Sequence, residues 1–511
     1  MNQDLMPILI GGGQITEKKT DIETASTPMD LMEKAVLDAA DNAGINPDRL
    51  TDLDTLVVIK SLYEFTRNSP EALAHRINAQ SAKQWILPAS GNYPQFLVNK
   101  YAEEIANGKS RFALFAGTEA MATGRKLIKS GKKPDWQEPS DRDPDHMQPE
   151  MSFGNEHEKA YGIWPARYVY PLFENALRGK YGHDIDTHQL AIGRLFEKFS
   201  EVAADNPHSW YPIRRSAEEI AIPGPSNRFV SWPYTKYMNA MNQVNQSGAI
   251  LMTSVGFAKE LGIPEEKWVY LHGCGDADEI WNVSERVNYH SSPAIRVMVR
   301  EAMNMADLGA SDIDFFDIYS CFPCAVQVAR DELGIPVDDD RPLTITGGLP
   351  YHGGAGSYSL NAIAAMLDKV RENPGKFGMV TANGGYLTKH AAGIYSTNRP
   401  VSPTEGMAPW RRTDPAEYRD EIQNMPRPEL VENPSGAAVI ETYTVGFGRD
   451  GQPDRCIIVG RLGDGSDLNA PRFLAYSPTD SDLLLSMTKS DFLNAPGRVE
   501  RQGKYNIFSP N

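Results

Sequence analysis

Cysteine is scarce. Four residues among 511 cannot build a disulfide framework, and Cys274, Cys321, Cys324 and Cys456 are not spaced as paired metal-binding knuckles. No metal site is expected, and a reducing, cytoplasmic compartment is. Long apolar runs are also missing: none approaches the roughly 18 residues that a membrane helix needs. The run Met6 to Ile10 has no basic segment before it and no small-residue cleavage site after it, so no membrane span or leader is expected. Positive charge is in deficit, with 51 Lys+Arg against 67 Asp+Glu and a formal net charge of −16. No local basic patch offsets it, which argues against a nucleic-acid partner. Neither Gly11 to Gly13 nor Gly353-Gly354-Ala355-Gly356 has the spacing of a dinucleotide site, and a P-loop is absent. These glycines read as tight turns where backbone meets a ligand or a neighbouring strand.

What is present is a strand–helix grammar. Pro7 to Ile10 reads as a strand running into a glycine loop. Thr27 and Pro28 then open a helix carrying Leu31, Ala35, Val36, Ala39 and Ala40 at helical spacing. Strands follow at 54–59 and 112–117, around a helix at 93–106 closed by Asn107-Gly108. The pattern returns as a helix at 292–305, a strand at 314–319, helices at 322–333 and 360–370, and a strand at 378–382. This is a layered α/β architecture of two related halves. The expected units are 1–120, an excursion at 121–231, 232–258 completing the first half, 259–400, a linker at 401–435, and a small β-rich unit at 436–511. The excursion, with an amphipathic stretch at 188–204, reads as a lid or as a second structural layer. The last unit reads as a small barrel or sandwich, with OB-like topology as the expectation.

Candidate chemistry gathers at the strand ends of the second half: Tyr319 and Ser320, Tyr351 and His352, Asn383 and His390. Carboxyl ends of strands in such sheets are where side chains converge on a ligand. Cys321-Phe322-Pro323-Cys324 follows a strand and opens a helix. It reads as a redox dithiol, a single nucleophilic thiol or two structural thiols.

Three segments carry a resemblance: Phe115 to Met121, Asn245-Gln-Ser-Gly-Ala249, and Asp312 to Phe322. In order and spacing they resemble the thiolase superfamily, in its sterol-carrier-protein-type and type-1 thiolase-like branch, commonly labelled acetyl-CoA acetyltransferases. The resemblance implies a thiolase-like fold of two αβα halves, with coenzyme A thioesters as ligand or substrate and no tightly bound cofactor. It also shows what is missing. The nucleophilic cysteine of that family corresponds to Gly91, its Asn/His to Tyr319, its Gly-His-Pro histidine to Gly354, and its second cysteine falls near Thr381 to Asn383.

The resemblance then implies Tyr319, His352 and Asn383 as catalytic, with Tyr319 on the thioester oxygen and His352 as base. Gly91, Asn92, Ser247, Tyr351, Gly353, Gly354 and Gly384 would line the substrate, and Arg214, Arg215, Arg228 and Trp232 would meet the nucleotide. The expected function is acyl-CoA carbon–carbon bond chemistry, acetyltransferase-like or retro-aldol, without the usual cysteine. A non-catalytic acyl-CoA or lipid carrier and a subunit of a larger complex are the alternatives, with a homodimer or a heteromeric partner expected.

Overall fold

In the computed structural model, the described residues are 3–18, 21–62, 66–354, 356–400, 410–467 and 469–511. The strands in chain order are β1 (Pro7–Thr16), β2 (Thr55–Ile59), β3 (Lys83–Leu87), β4 (Phe112–Ala120), β5 (Phe229–Ser231), β6 (Tyr234–Thr235), β7 (Asn245–Ser254) and β8 (Val269–Asp278). They continue with β9 (Phe315–Asp317), β10 (Gly378–Gly384), β11 (Lys389–Ser396), β12 (Gly436–Phe447), β13 (Pro453–Leu462), β14 (Arg472–Tyr476), β15 (Pro496–Gln502) and β16 (Tyr505–Pro510).

The large sheet runs β3-β2-β4-β7-β1-β8-β11-β10-β9. Its two halves repeat one motif: β4-β7-β1 is matched by β10-β11-β8, all antiparallel, and the halves join where β1 meets β8 at Ile8↔Tyr270 and Leu9↔Val269. The chain is therefore an α/β protein of two related halves, as its sequence grammar requires.

The glycine run behaves differently from the expected loop. Gly11, Gly12 and Gly13 lie inside β1. A Cβ on Gly11 or Gly13 would overlap the carbonyls of Ala39 or Ala35 on one sheet face. One on Gly12 would lie 2.7 Å from Ala364 Cα on the other. The absent side chains let helix Pro28–Ala43 and helix Tyr358–Glu372 press against both faces of one strand. The first of these helices is started by Thr27, whose hydroxyl accepts from Asp30 N–H in a capping box, and stopped by Gly44 at φ 74°.

Residues 121–231 fold into helices, among them Ala166–Tyr181 and Ile185–Asp205. The amphipathic stretch is confirmed as helix, burying His188, Ile192, Phe196, Phe199 and Ala203.

The C-terminal strands form a barrel. The order β13-β14-β16-β15-β12 is closed by β12–β13 pairing, with helix Ser481–Ser486 between β14 and β15. β14 and β16 are parallel, so the barrel has the OB-like plan. β5, at the end of the excursion, and β6, just after it, extend its sheet. The barrel is anchored by Arg472, whose guanidinium donates to Glu441 Oε1 at 2.7 Å and to the Ser284 carbonyl at 2.9 Å. Within the stretch read as a linker, 401–409 lie outside the described residues. The rest carries helix Pro415–Gln423, which buries Tyr418 and Ile422. β15 was not expected from sequence, because its side chains alternate buried Gly497 and Val499 with exposed Arg498 and Glu500 and offer no apolar run. Among the described residues no helix is long and apolar enough to cross a membrane.

Candidate active site

Two central helices meet at the site. Helix Tyr93–Ala106 has Pro94 in its first turn, where a missing N–H is harmless. Its inner face is polar. Tyr395 Oη donates to Gln95 Oε1 at 2.7 Å, Gln95 Nε2 to Asn99 Oδ1 at 2.8 Å, and Asn99 Nδ2 to Asp276 Oδ1 at 3.0 Å. This buried ladder ties the helix to β8 and β11 and fixes the turn Ser90-Gly91-Asn92 that precedes it. From the neighbouring helix Tyr358–Glu372, Ser359 Oγ donates to the Gly91 carbonyl at 3.0 Å.

Tyr319 enters this corner just after β9. Its N–H donates to Thr381 Oγ1 at 3.1 Å, and its ring stands edge-on to Tyr358, centroids 5.7 Å apart. Tyr358 is itself pinned, its hydroxyl donating to Asp317 Oδ1 at 2.7 Å. The Tyr319 hydroxyl thus sits directly over Gly91: a Cβ built there would overlap it and lie 2.6 Å from the Asn383 carbonyl oxygen. The hydroxyl has no hydrogen-bond partner among the described residues. Asn383, near the end of β10, donates through Nδ2 to Tyr170 Oη at 3.0 Å, while its buried Oδ1 has no partner there. Tyr170 donates to the Gly385 carbonyl at 2.9 Å and stacks on Phe322 at 4.4 Å. Asn383 Nδ2 also lies 3.8 Å from Cys321 Sγ.

These groups line an open cavity of about 690 Å³, whose walls include Ser90, Gly91, Met121, Tyr170, Tyr319, Cys321, Leu349, Asn383 and Gly384. Arg125, Arg167 and Lys236 line it as well; they are exposed and make no ion pair among the described residues. No Asp, Glu or His belongs to the described lining. In a chain of net charge −16, the described lining therefore has a locally positive rim.

Burial holds the Tyr319 phenol well above its usual range, and nearby Cys321 adds to this. The Cys321 thiol is pushed up to about 12 by burial, against hydrogen bonds from Tyr170 and Asn383 that lower it. Both keep their protons at neutral pH, so Tyr319 can donate and Cys321 is no thiolate nucleophile. Cys324 is a buried free thiol donating to the Tyr170 carbonyl at 3.4 Å.

Of the residues expected from sequence, the structure brings Gly91, Tyr319, Asn383 and Gly384 together. The others stand elsewhere. His352 is fully buried behind Tyr358, ring centroids 5.7 Å apart, with Nδ1 3.1 Å from the Gly353 carbonyl. Burial lowers its pKa to about 4, so it is neither in the cavity nor a strong base. Tyr351 packs edge-on against Phe196. Ser247 donates to the Gly117 carbonyl at 2.9 Å, and Gly353 and Gly354 form a turn at φ 90° and 110°. Asn92 accepts from Ser90 Oγ at 2.8 Å and faces a separate, small cavity of about 150 Å³.

The residues expected at the nucleotide have partners within the chain. Arg214 pairs with Asp205, Arg215 with Glu219, and Arg228 donates to the Phe229 carbonyl. Trp232 is buried in the barrel core, stacked on Tyr443 at 5.2 Å. Sequence reasoning missed Tyr170 and the cations Arg125, Arg167 and Lys236; only a helix placed against the cavity reveals them.

The missing thiolase groups are excluded sterically as well as chemically. A side chain at Gly91 meets Tyr319, and one at Gly354 would need φ 110° with Tyr358 Cβ at 3.0 Å. Gly91→Cys is therefore expected to leave acetoacetyl-CoA thiolysis at background and to cost about 1–3 kcal/mol of stability through overpacking. Denaturant titration with a thiolysis assay checks both; thiolysis at ordinary enzyme rates would refute this account.

Residues 417–504 match the family model described as the thiolase-like protein type 1 additional C-terminal domain. A crystal structure of a monomeric SCP2-thiolase-like protein type 1 from Mycobacterium smegmatis is 33% identical, covering 100% of both chains with a TM-score of 0.83. An Ltp2–ChsH2(DUF35) aldolase is 18% identical over 77% of this chain and 98% of that one, with a TM-score of 0.59. Acetyl-CoA acetyltransferase from Syntrophomonas wolfei is 14% identical over 77% of this chain and 99% of its own, at 0.53; these two likenesses show the fold alone. No curated protein sequence matches. With the whole length aligned to the mycobacterial protein and the additional domain matched independently, the chain belongs to the SCP2-thiolase-like proteins of type 1.

Proposed function

We propose that this protein binds a coenzyme A thioester in the 690 Å³ cavity and cleaves a carbon–carbon bond of a β-hydroxyacyl group by retro-aldol chemistry. The observation that carries the reading is the Tyr319 hydroxyl standing in the space over Gly91, unpartnered among the described residues. A thiolase-type acyl-enzyme has no place there, whereas a phenolic donor does. In a retro-aldol step the β-hydroxyl loses its proton, the Cα–Cβ bond breaks toward the thioester, and the resulting enolate is reprotonated at Cα, releasing a shorter acyl-CoA and a carbonyl compound. Tyr319, kept protonated by burial, donates to the thioester oxygen as charge develops on it. Asn383 lines the cavity, and its buried Oδ1, unpartnered among the described residues, is the acceptor that would orient the β-hydroxyl once the substrate reaches it. Neither a carboxylate nor a histidine lines the described wall, so the hydroxyl proton leaves through solvent in the open cavity and returns to Cα from it. The fold shared with an aldolase is consistent with this use of the site.

One observation favours a second reading, a CoA-thioester carrier without turnover: the described lining has neither a carboxylate nor a histidine. Incubating β-hydroxyacyl-CoA substrates with the protein and following free aldehyde or ketone and shortened acyl-CoA by mass spectrometry separates the two, since a carrier releases neither. Both readings require binding. At about 100 times its Kd an acyl-CoA is expected to add roughly 2.7 kcal/mol of stability, read as a thermal shift. No shift at millimolar CoA, acetyl-CoA and long-chain acyl-CoA would remove both.

A further inference from the structure

The additional C-terminal barrel carries an open groove of about 610 Å³ that the proposed chemistry does not use. Arg455, Tyr476, Ser477, Thr479, Gln502 and Tyr505 are among its walls. The groove adjoins the cavity through one side chain. Tyr168, buried, has the Arg167 guanidinium 4.8 Å from its ring centroid and the Arg455 guanidinium 5.9 Å from it. Arg167 lines the cavity and Arg455 lines the groove, so an Arg–Tyr–Arg cluster spans the boundary between the thiolase-like part and the barrel.

The geometry points to a single extended ligand site crossing that boundary: we propose that the phosphates and adenine of the coenzyme A thioester lie along Arg167 and Arg455 into the barrel groove. This inference rests on the CoA reading above and names where the nucleotide end goes. Arg167 is three residues before Tyr170, which touches Asn383 at 3.0 Å. At about 1.5 Å rise per residue it stands one helical turn from the reacting corner, on the way outward. It sits in the first turn of helix Ala166–Tyr181, which has no acidic residue there and no side-chain cap. The Tyr168 N–H of that turn donates to the Pro165 carbonyl at 2.8 Å, and the positive end of the helix adds to the guanidinium's attraction for a phosphate.

On the barrel side, Arg455 has among the described residues only the neighbouring Asp454, itself in the groove wall, as an ion pair at 3.4 Å, and 45% of its side chain is exposed. Tyr476 and Tyr505 stand 5.3 Å apart, with Lys504 4.9 Å above the Tyr505 ring. Forked guanidinium donors suit phosphate oxygens, and tyrosine faces suit a purine. A ligand with a flat base and three phosphates at one end and an uncharged arm at the other matches this order of groups. The barrel then completes the substrate site as well as capping the fold.

The test measures Kd by calorimetry for CoA and for pantetheine, which shares the arm and lacks the nucleotide, in the full chain and in Arg167→Gln, Arg455→Gln and Arg455→Lys. The expected result is that wild type prefers CoA. Arg455→Gln weakens CoA about tenfold and leaves pantetheine unchanged, and Arg455→Lys restores part of the loss. The CoA affinity of wild type should also fall more steeply with salt than that of Arg455→Gln. Wild-type CoA affinity in Arg455→Gln, with Arg167→Gln weakened, would overturn the crossing into the barrel. Equal affinity of wild type for CoA and pantetheine would overturn the nucleotide site while leaving the cavity's thioester reading intact. Binding of neither ligand would defeat that reading and this one together. Should Arg455→Gln not fold, Arg455→Lys with dephospho-CoA, which lacks one phosphate, gives the same comparison: the lysine variant is expected to discriminate less between the two nucleotides than wild type, and equal discrimination overturns the proposal.

Discussion

Tyr319→Phe is expected to lower retro-aldol turnover of a β-hydroxyacyl-CoA about 10²-fold or more, while CoA affinity changes less than about threefold. The substitution removes one oxygen. The ring that stands against Tyr358 remains, as does the backbone bond to Thr381. What is lost is the donor above Gly91, which the described structure leaves without a protein partner. Such a group contributes little to a ground state held by its nucleotide and arm, and much to an enolate whose charge appears only during the reaction. If the hydroxyl served only to fill space over Gly91, the variant would melt at a lower temperature and keep wild-type turnover per folded molecule. Turnover, CoA affinity and melting temperature measured on one preparation distinguish these cases, and unchanged turnover would remove Tyr319 from the reaction.

The site residues that sequence could find share a cause. Gly91, Tyr319, Asn383 and Gly384 lie at a strand end or at the turn before a buried helix, positions that the alternating grammar fixes and that the sheet brings to one edge. His352 followed the same rule and misled it: the short helix Gly348–Tyr351 turns the chain, and the imidazole ends behind Tyr358. The resemblance puts Arg214, Arg215 and Arg228 at the nucleotide, but sequence does not show which cations are engaged by their own chain. Arg215 lies 3.9 Å over the Tyr237 ring and pairs with Glu219, contacts set by tertiary packing. Arg125 and Arg167 look no different from it in sequence. Their distinction is that they make no ion pair among the described residues, which only the folded chain displays. Likewise the glycines of β1 signalled close approach correctly but not a loop, because a strand flanked by two helices and a turn make the same demand on the side chain.

Acid should destabilise this fold steeply between about pH 6.5 and pH 4, and two buried histidines are the cause. His352 and His390 are almost entirely removed from solvent, at 0% and 3% exposure. Among the described residues the Nε2 of each has no partner. Burial lowers the pKa of His352 to about 4 and that of His390 to about 3, against an ordinary value of 6.5. His208 and Lys18 near the first, and Arg286 near the second, push the same way. The folded state therefore holds both rings neutral where the unfolded chain binds protons. Above about pH 7 neither state binds them and stability is complete. As pH falls below 6.5 the unfolded chain gains protons first, and stability is lost until the folded pKa values are reached. A tenfold change in proton affinity corresponds to about 1.4 kcal/mol, so the pair together removes on the order of 5–8 kcal/mol by pH 4, comparable with the whole stability of many domains. The buried carboxyl of Asp276, pushed up to about 6 by burial although Arg412 opposes it, acts in the opposite sense over the same window. A comparison of variants removes that background. Urea unfolding of wild type and His352→Gln at pH 7.5 and pH 5 is the measurement. The variant is expected to be less stable than wild type at pH 7.5, because its amide is buried with incomplete hydrogen bonding, and to lose about 2 kcal/mol less on going to pH 5. An identical loss in both proteins would mean that His352 takes up its proton without unfolding, and the burial that keeps it out of the cavity would have to be abandoned with it.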